Sequence, residues 1–145
     1  MVFIYDKNTA YIANAGDSFA YVIHPYIEML TEVHKASEEA EAKRILETDA
    51  EIFRGRINGE IAVSRSIGDS SYTEYGLIHT PFTRKLDLTP GMLIVLASDG
   101  LWDKVNPEDI LTIKDLPVKE LSAECLNTAI ERESSDNTTI IVIKV

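Results

Sequence analysis

Six consecutive apolar residues, Met92-Leu93-Ile94-Val95-Leu96-Ala97, run directly into Ser98-Asp99-Gly100-Leu101-Trp102-Asp103. An unbroken apolar run of this length is a strand buried on both faces, so the chain must supply cover on each side of it. Two carboxylates follow four residues apart, with a glycine between them that lets the backbone turn sharply. Holding a carboxylate beside a packed strand costs on the order of several kcal/mol unless a partner offsets it. A bound cation is the evident partner, and this segment is where chemistry is expected.

The remaining pattern supplies the cover. Val2 to Tyr5, Ala10 to Ala15 and Phe19 to Ile23 are rich in aromatic and β-branched residues and read as strands. Asp6-Lys7-Asn8 is a hairpin turn between the first two, and Tyr26 to Leu30 is a further short strand. From Ala36 to Thr48 the period changes to that of a helix, with Ser37 as N-cap, Glu38 and Glu39 in the first turn, and a face of Ala42, Ile45 and Leu46. Asn58-Gly59, between Glu51–Ile57 and Glu60–Ser64, is a strong hairpin signal because both positions tolerate positive φ. A loop from Gly68 to Gly76 precedes a strand within Ile78 to Leu88, interrupted by Pro81. Asn106-Pro107-Glu108-Asp109 opens one helix, and Val118 to Glu131 forms another whose apolar face is Val118, Leu121, Cys125, Leu126, Ala129 and Ile130. Thr138 to Val145 is a closing strand. Strands joined mostly as hairpins, with helices inserted after them, predict an α+β fold: an antiparallel sheet or sandwich with helices packed outside.

With 145 residues the chain fits a single domain, 1–145, able to bury roughly 68–70% of its unfolded surface. The net charge of −10 and the lack of any Lys/Arg-rich stretch exclude nucleic acid as the expected ligand. No segment approaches the ~20 apolar residues of a membrane span, so no membrane partner is expected. The first residues, Met1-Val2-Phe3-Ile4-Tyr5-Asp6-Lys7, do not read as a signal peptide. One cysteine, Cys125, excludes an internal disulfide and fits a reducing, cytoplasmic or nuclear setting rather than secretion, so the sequon Asn137-Thr138-Thr139 is read as chance.

Two further aspartates occupy positions like those of Asp99 and Asp103. Asp17 follows the Tyr11–Ala15 strand, and Asp136 precedes the last strand. Four aspartates at strand ends can converge at one edge of a sheet, where an all-oxygen site prefers Mg²⁺ or Mn²⁺. Aspartate beside Gly, Ser or Asn is also ordinary turn chemistry, and for each residue alone that is the commoner role.

At these same positions the chain resembles the metal-dependent protein phosphatases of the 2C type. The matching pieces stand in the family's order: Ala13-Asn14-Ala15-Gly16-Asp17-Ser18; Leu30-Thr31-Glu32-Val33-His34-Lys35; Arg56-Ile57-Asn58-Gly59 running into Ala62-Val63-Ser64-Arg65-Ser66-Ile67-Gly68-Asp69; Leu96-Ala97-Ser98-Asp99-Gly100-Leu101-Trp102-Asp103; and Ser135-Asp136-Asn137-Thr138. The resemblance implies two antiparallel sheets face to face inside a four-layer α-β-β-α arrangement, of which this chain is the C-terminal part. It implies Mg²⁺ or Mn²⁺ at one edge, with Asp99 and Asp136 as ligands of the catalytic metal pair and Asp17, Asp99 and Asp103 around a further, weaker metal. The implied reaction is hydrolysis of phosphoserine or phosphothreonine in a protein, by metal-activated water.

The chain also departs from the family pattern. The Asp-Gly-His-Gly motif of the family's opening half, and the arginine that meets substrate phosphate, are not among these residues, so the implied site is incomplete here. Phe19 stands where the family usually has arginine. Arg65 is expected to make a structural ion pair with an aspartate such as Asp69. A non-catalytic regulatory module on the same fold is the alternative function. Half a sandwich leaves strand edges and apolar faces bare, which predicts self-association through exposed strands.

Overall fold

A computed structural model describes residues 1–145. In chain order the elements are β1 (Val2–Asp6), β2 (Thr9–Asn14), β3 (Phe19–His24), β4 (Glu28–Met29), α1 (Glu39–Leu46), β5 (Ile52–Phe53), β6 (Arg56–Ile57), a 3-10 turn (Ser70–Tyr75), β7 (Phe82–Asp87), β8 (Leu93–Ala97), α2 (Asp99–Trp102), α3 (Pro107–Thr112), α4 (Val118–Glu131) and β9 (Ile140–Lys144). Two antiparallel sheets carry the architecture, one ordered β1-β2-β7 and the other β4-β3-β8-β9, with β5 and β6 as a separate hairpin. No helix is long and apolar enough to cross a membrane.

The doubly buried strand is β8, all five of whose residues are buried. Its side chains alternate between two cores. Ile94 and Leu96 join Ala10 and Ile12 of β2, Ala20 and Val22 of β3, and Leu86 of β7 in a cluster between the sheets. Leu93, Val95 and Ala97 face the other way, into a cluster with Leu101, Trp102, Val105, Ile110, Leu121, Cys125 and Ala129 from the helical side. Each fully buried Leu, Ile or Val contributes roughly 1.5–3 kcal/mol, so β8 serves two cores at once. The sandwich is as expected, with α2, α3 and α4 covering the four-stranded sheet. The outer face of the three-stranded sheet leaves Val2, Ile4 and Tyr11 exposed, so three layers of the implied four are present in this chain.

Local details depart from the sequence reading. α1 begins at Glu39, with Glu38 rather than Ser37 at its N-cap and no side-chain cap. Its buried stripe is Glu41 and Ile45, whereas Leu46 is exposed. Hydrophobic periodicity overlooks a buried glutamate, and so assigns the face one residue too far round the helix. Asn58 and Gly59 do have positive φ (50° and 77°) and form a turn bridged by Ile57 and Ile61, but the two-residue hairpin proper is Arg54-Gly55, between β5 and β6. β7 begins just after Pro81. α4 has the predicted bounds, with Leu121, Cys125 and Ala129 buried and Ile130 exposed. Asp99 to Trp102, expected as a sharp turn, is the short helix α2, and Gly100 lies within it.

Candidate metal centre

Register places the aspartates. β3 and β8 are antiparallel neighbours with Phe19 opposite Ala97, so the start of β3 lies beside the end of β8. Asp17 stands two residues before the first, and Asp99 two residues after the second. β9 pairs with the other side of β8, Ile140 opposite Ala97, which carries the Ser134–Thr139 loop and Asp136 to the same end. Asp103 follows Asp99 by one helical turn, its N–H donating to the Asp99 carbonyl at 2.8 Å. One edge of the sandwich therefore bears all four aspartates.

Within that edge two carboxylates meet. Lys35 Nζ lies 3.9 Å from Asp17 Oδ2 and 3.9 Å from Asp99 Oδ2, and both aspartate side chains are partly buried. Burial, followed by the negative charge of Asp99, pushes the Asp17 carboxyl above its ordinary value, and Lys35 pulls part of that back. Asp103 and Asp136 are exposed, and Asp136 Oδ1 accepts a 2.7 Å hydrogen bond from the Asn137 N–H, the turn role its neighbours suggest. No group of three or more His, Cys, Asp or Glu side chains gathers round one point.

The loop carrying Asp136 is laced to the helix carrying Asp99. Ser98 N–H donates to the Thr139 carbonyl at 3.1 Å, Thr139 N–H donates to Ser98 Oγ at 3.0 Å, and Ser98 Oγ donates to the Asn137 carbonyl at 3.1 Å. Ser134 Oγ donates to the Gly100 carbonyl at 2.8 Å. A Cβ on Gly100 would lie 2.5 Å from the Asn137 carbonyl oxygen. Glycine is needed there for the close approach of a second backbone, not for a turn.

Three features of the surroundings escaped the sequence reading. Lys35 is the first. The second is a buried ionic knot on α1: Glu41 accepts from Ser64 Oγ at 2.6 Å, Arg65 Nη2 at 2.5 Å and Arg44 Nη2 at 2.5 Å. Burial alone would raise the Glu41 carboxyl, but the hydrogen bonds from Arg65, Ser64 and Arg44 overcome it and hold the pKa down at about 2. Arg65 thus has the structural role expected of it with Glu41 as partner, while Asp69 accepts from Ser66 Oγ instead. Pairing is decided by α1 lying against the Ser64–Arg65 segment, which spacing along the chain does not reveal. The third is aromatic: Phe19 stacks on Trp102 at 5.4 Å, and Trp102 Nε1 donates to the Phe19 carbonyl at 3.1 Å. That bond ties β3 to α2 beside the carboxylate pair.

The donor set is oxygen only, which in kind suits a hard divalent ion, and Asp17 and Asp99 already share one cationic partner in Lys35. A thiol nucleophile is excluded: Cys125 is buried on α4 with its pKa pushed up to about 11, first by burial.

A family model of protein phosphatase 2C matches residues 1–138. Among characterised relatives, protein phosphatase 2C homolog 1 of Saccharomyces cerevisiae is 34% identical over 137 residues, covering 92% of this chain and 48% of its own length. The integrin-linked kinase-associated serine/threonine phosphatase 2C of Bos taurus is 32% identical over 164 residues, covering 95% of this chain and 44% of its own. Among solved structures, a C. elegans sex determining protein superposes with a TM-score of 0.82 at 30% identity, over 94% of this chain and 37% of that one. A Toxoplasma gondii phosphatase, at 21% identity and TM-score 0.78, shares the fold. The chain spans about half the length of the curated relatives it matches.

Proposed function

Because this chain belongs to the protein phosphatase 2C family, we propose that it carries one wall of the catalytic centre of a metal-dependent serine/threonine protein phosphatase. The observation that carries the reading is the convergence of Asp17 and Asp99 on a single cation position at the sandwich edge where Asp103 and Asp136 also lie. Asp99 and Asp136 would hold the catalytic Mg²⁺ or Mn²⁺, and Asp17, Asp99 and Asp103 a further one. When bound, such ions lower the pKa of a coordinated water and neutralise phosphoryl oxygens, which is the chemistry that hydrolysis of a phosphoserine or phosphothreonine protein requires. The chain's own residues orient that chemistry. α2 presents Asp99 and Asp103 one turn apart, and the Ser98 and Ser134 bonds hold the Asp136 loop against it.

The test is calorimetric titration with Mn²⁺. Binding that weakens at least about tenfold on Asp99→Ala, and measurably on Asp136→Ala, is expected; heat that neither substitution alters refutes the reading. One observation favours the second reading, a non-catalytic binding module: no three carboxylates meet at one point. Mn²⁺-dependent turnover of a small phosphate ester by this chain, abolished by Asp99→Ala, decides against it.

The bare strands support self-association as a further part of this proposal. β1 and β9 are edge strands of their sheets, and Val2, Ile4, Tyr5 and Ile141 on them are exposed. Light scattering is expected to give a mass above that of one chain, and a monomeric mass at working concentration contradicts this.

A further inference from the structure

The stretch Leu30 to Lys35 is tied to the Asp17 turn at more points than a plain connection needs. Thr31 Oγ1 accepts from the Ala20 N–H at 3.1 Å, and Asn14 Nδ2 donates to the Glu32 carbonyl at 2.6 Å. His34 grips Gly16 from both sides: its N–H donates to the Gly16 carbonyl at 3.2 Å, and the Gly16 N–H donates to His34 Nδ1 at 3.4 Å. The His34 side chain is 1% exposed. On the far side the His34 carbonyl accepts from the Ser64 N–H at 2.9 Å, Lys35 is bridged to Val63, and Ala36 N–H donates to the Ala62 carbonyl at 2.7 Å. The backbone on either side of Lys35 is therefore fixed to both neighbouring segments. A lysine on a free loop loses rotamer freedom when it reaches for a carboxylate, which is why exposed pairs contribute little. Here the backbone cost is already met by the surrounding bonds, and the ammonium is delivered equidistant from two carboxylates.

We propose that Lys35 is the resident counter-ion of the Asp17–Asp99 pair, which a divalent ion can take only in competition with it. The inference rests on the metal-site reading above and adds to it a positioning residue with a definite sign: Lys35 draws the two carboxylates toward one ammonium in the metal-free chain and weakens metal binding in return. Two like charges drawn toward one ammonium repel one another, so without Lys35 the metal-free site would splay.

Two measurements test this. In the metal-free chain, with chelator present, Lys35→Met keeps the apolar stem and removes the charge, and should lower the melting temperature. That loss should shrink by at least half in an Asp99→Asn background, where no charge pair remains to neutralise. Mn²⁺ titration should show Lys35→Met binding roughly three- to tenfold more tightly than the parent chain, as expected for releasing one partly exposed cation, with Lys35→Arg within twofold of the parent. Lys35→Gln carries the same expectation should methionine pack badly. Equal or weaker Mn²⁺ binding by a folded neutral variant overturns the competition, and a melting loss that persists unchanged beside Asp99→Asn overturns the counter-ion itself. Absence of Mn²⁺ binding in parent and variants alike refutes instead the metal-site reading, and with it the competition, while the metal-free comparison still decides the counter-ion.

Discussion

Replacing Glu41 with glutamine removes one charge from a buried knot and should be among the most damaging single changes in the molecule. Glu41 is 5% exposed and receives Ser64, Arg65 and Arg44 together. Its carboxyl is lowered from the ordinary 4.5 to about 2, which at about 1.36 kcal/mol per pH unit amounts to about 3 kcal/mol of folded-state stability. The same figure follows from another direction, since breaking a buried ion pair by removing one partner costs about 3–5 kcal/mol. For a chain of this size that corresponds to a fall of about 6–12 °C in melting temperature. The sign with pH is fixed. In the unfolded chain the carboxyl takes its proton near 4.5 and in the folded chain only near 2, so the contribution is complete above the first value and disappears as the pH falls through the second. Thermal denaturation of the parent chain and Glu41→Gln, side by side at pH 7 and pH 2.5, reads both effects, and the gap should narrow at the lower pH. A variant that melts within 2 °C of the parent at pH 7, or keeps the full gap at pH 2.5, refutes the assignment of that energy to the Glu41 charge.

Gly100→Ala should cost about 1–3 kcal/mol by overpacking against the Asn137 carbonyl, and should weaken Mn²⁺ binding by displacing the Asp136 loop; unchanged melting and binding count against the close-approach argument. Cys125, buried with its thiol pushed up to about 11, should resist alkylation at pH 8 until denaturant is added, as mass spectrometry of the labelled chain will show. Trp102→Ala should cost about 3–5 kcal/mol, because it removes a large side chain from the helical core together with its stacking on Phe19; a loss under about 1 kcal/mol in urea denaturation disproves that role.

Much of this was legible in the chain because apolar pattern and turn chemistry are local. The β8 run, the bounds of α4, the turn expected at Asp6-Lys7-Asn8 (in the structure Lys7-Asn8, with Asp6 ending β1) and the core position of Cys125 all follow from neighbours within a few residues. The residues missed are those whose partners lie far away along the chain. Glu41 reads as one more surface glutamate until Ser64 and Arg65 are laid against it. Lys35 shows no signal beyond its place in the Leu30–Lys35 stretch. Gly100 looks like a turn glycine until the Asn137 carbonyl arrives from 37 positions further on. That the four aspartates stand near strand ends was readable; that those ends share one edge follows only from the pairing of β3, β8 and β9. How closely Asp103 and Asp136 approach the other two was not readable either, because side-chain convergence depends on packing rather than order.

The pairing of β3 with β8 also sets when the site comes into being. Strands β1 and β2 pair across a short turn, and β3 pairs with nearby β4, so both local pairings can form early, yet Asp17 meets Asp99 only after a loop of some eighty residues has closed. A half-folded chain offers a divalent ion nothing but isolated carboxylates. Metal bound there would stabilise the finished sandwich by mass action without helping to build it, so the concentration of the ion should tell in how slowly the protein comes apart.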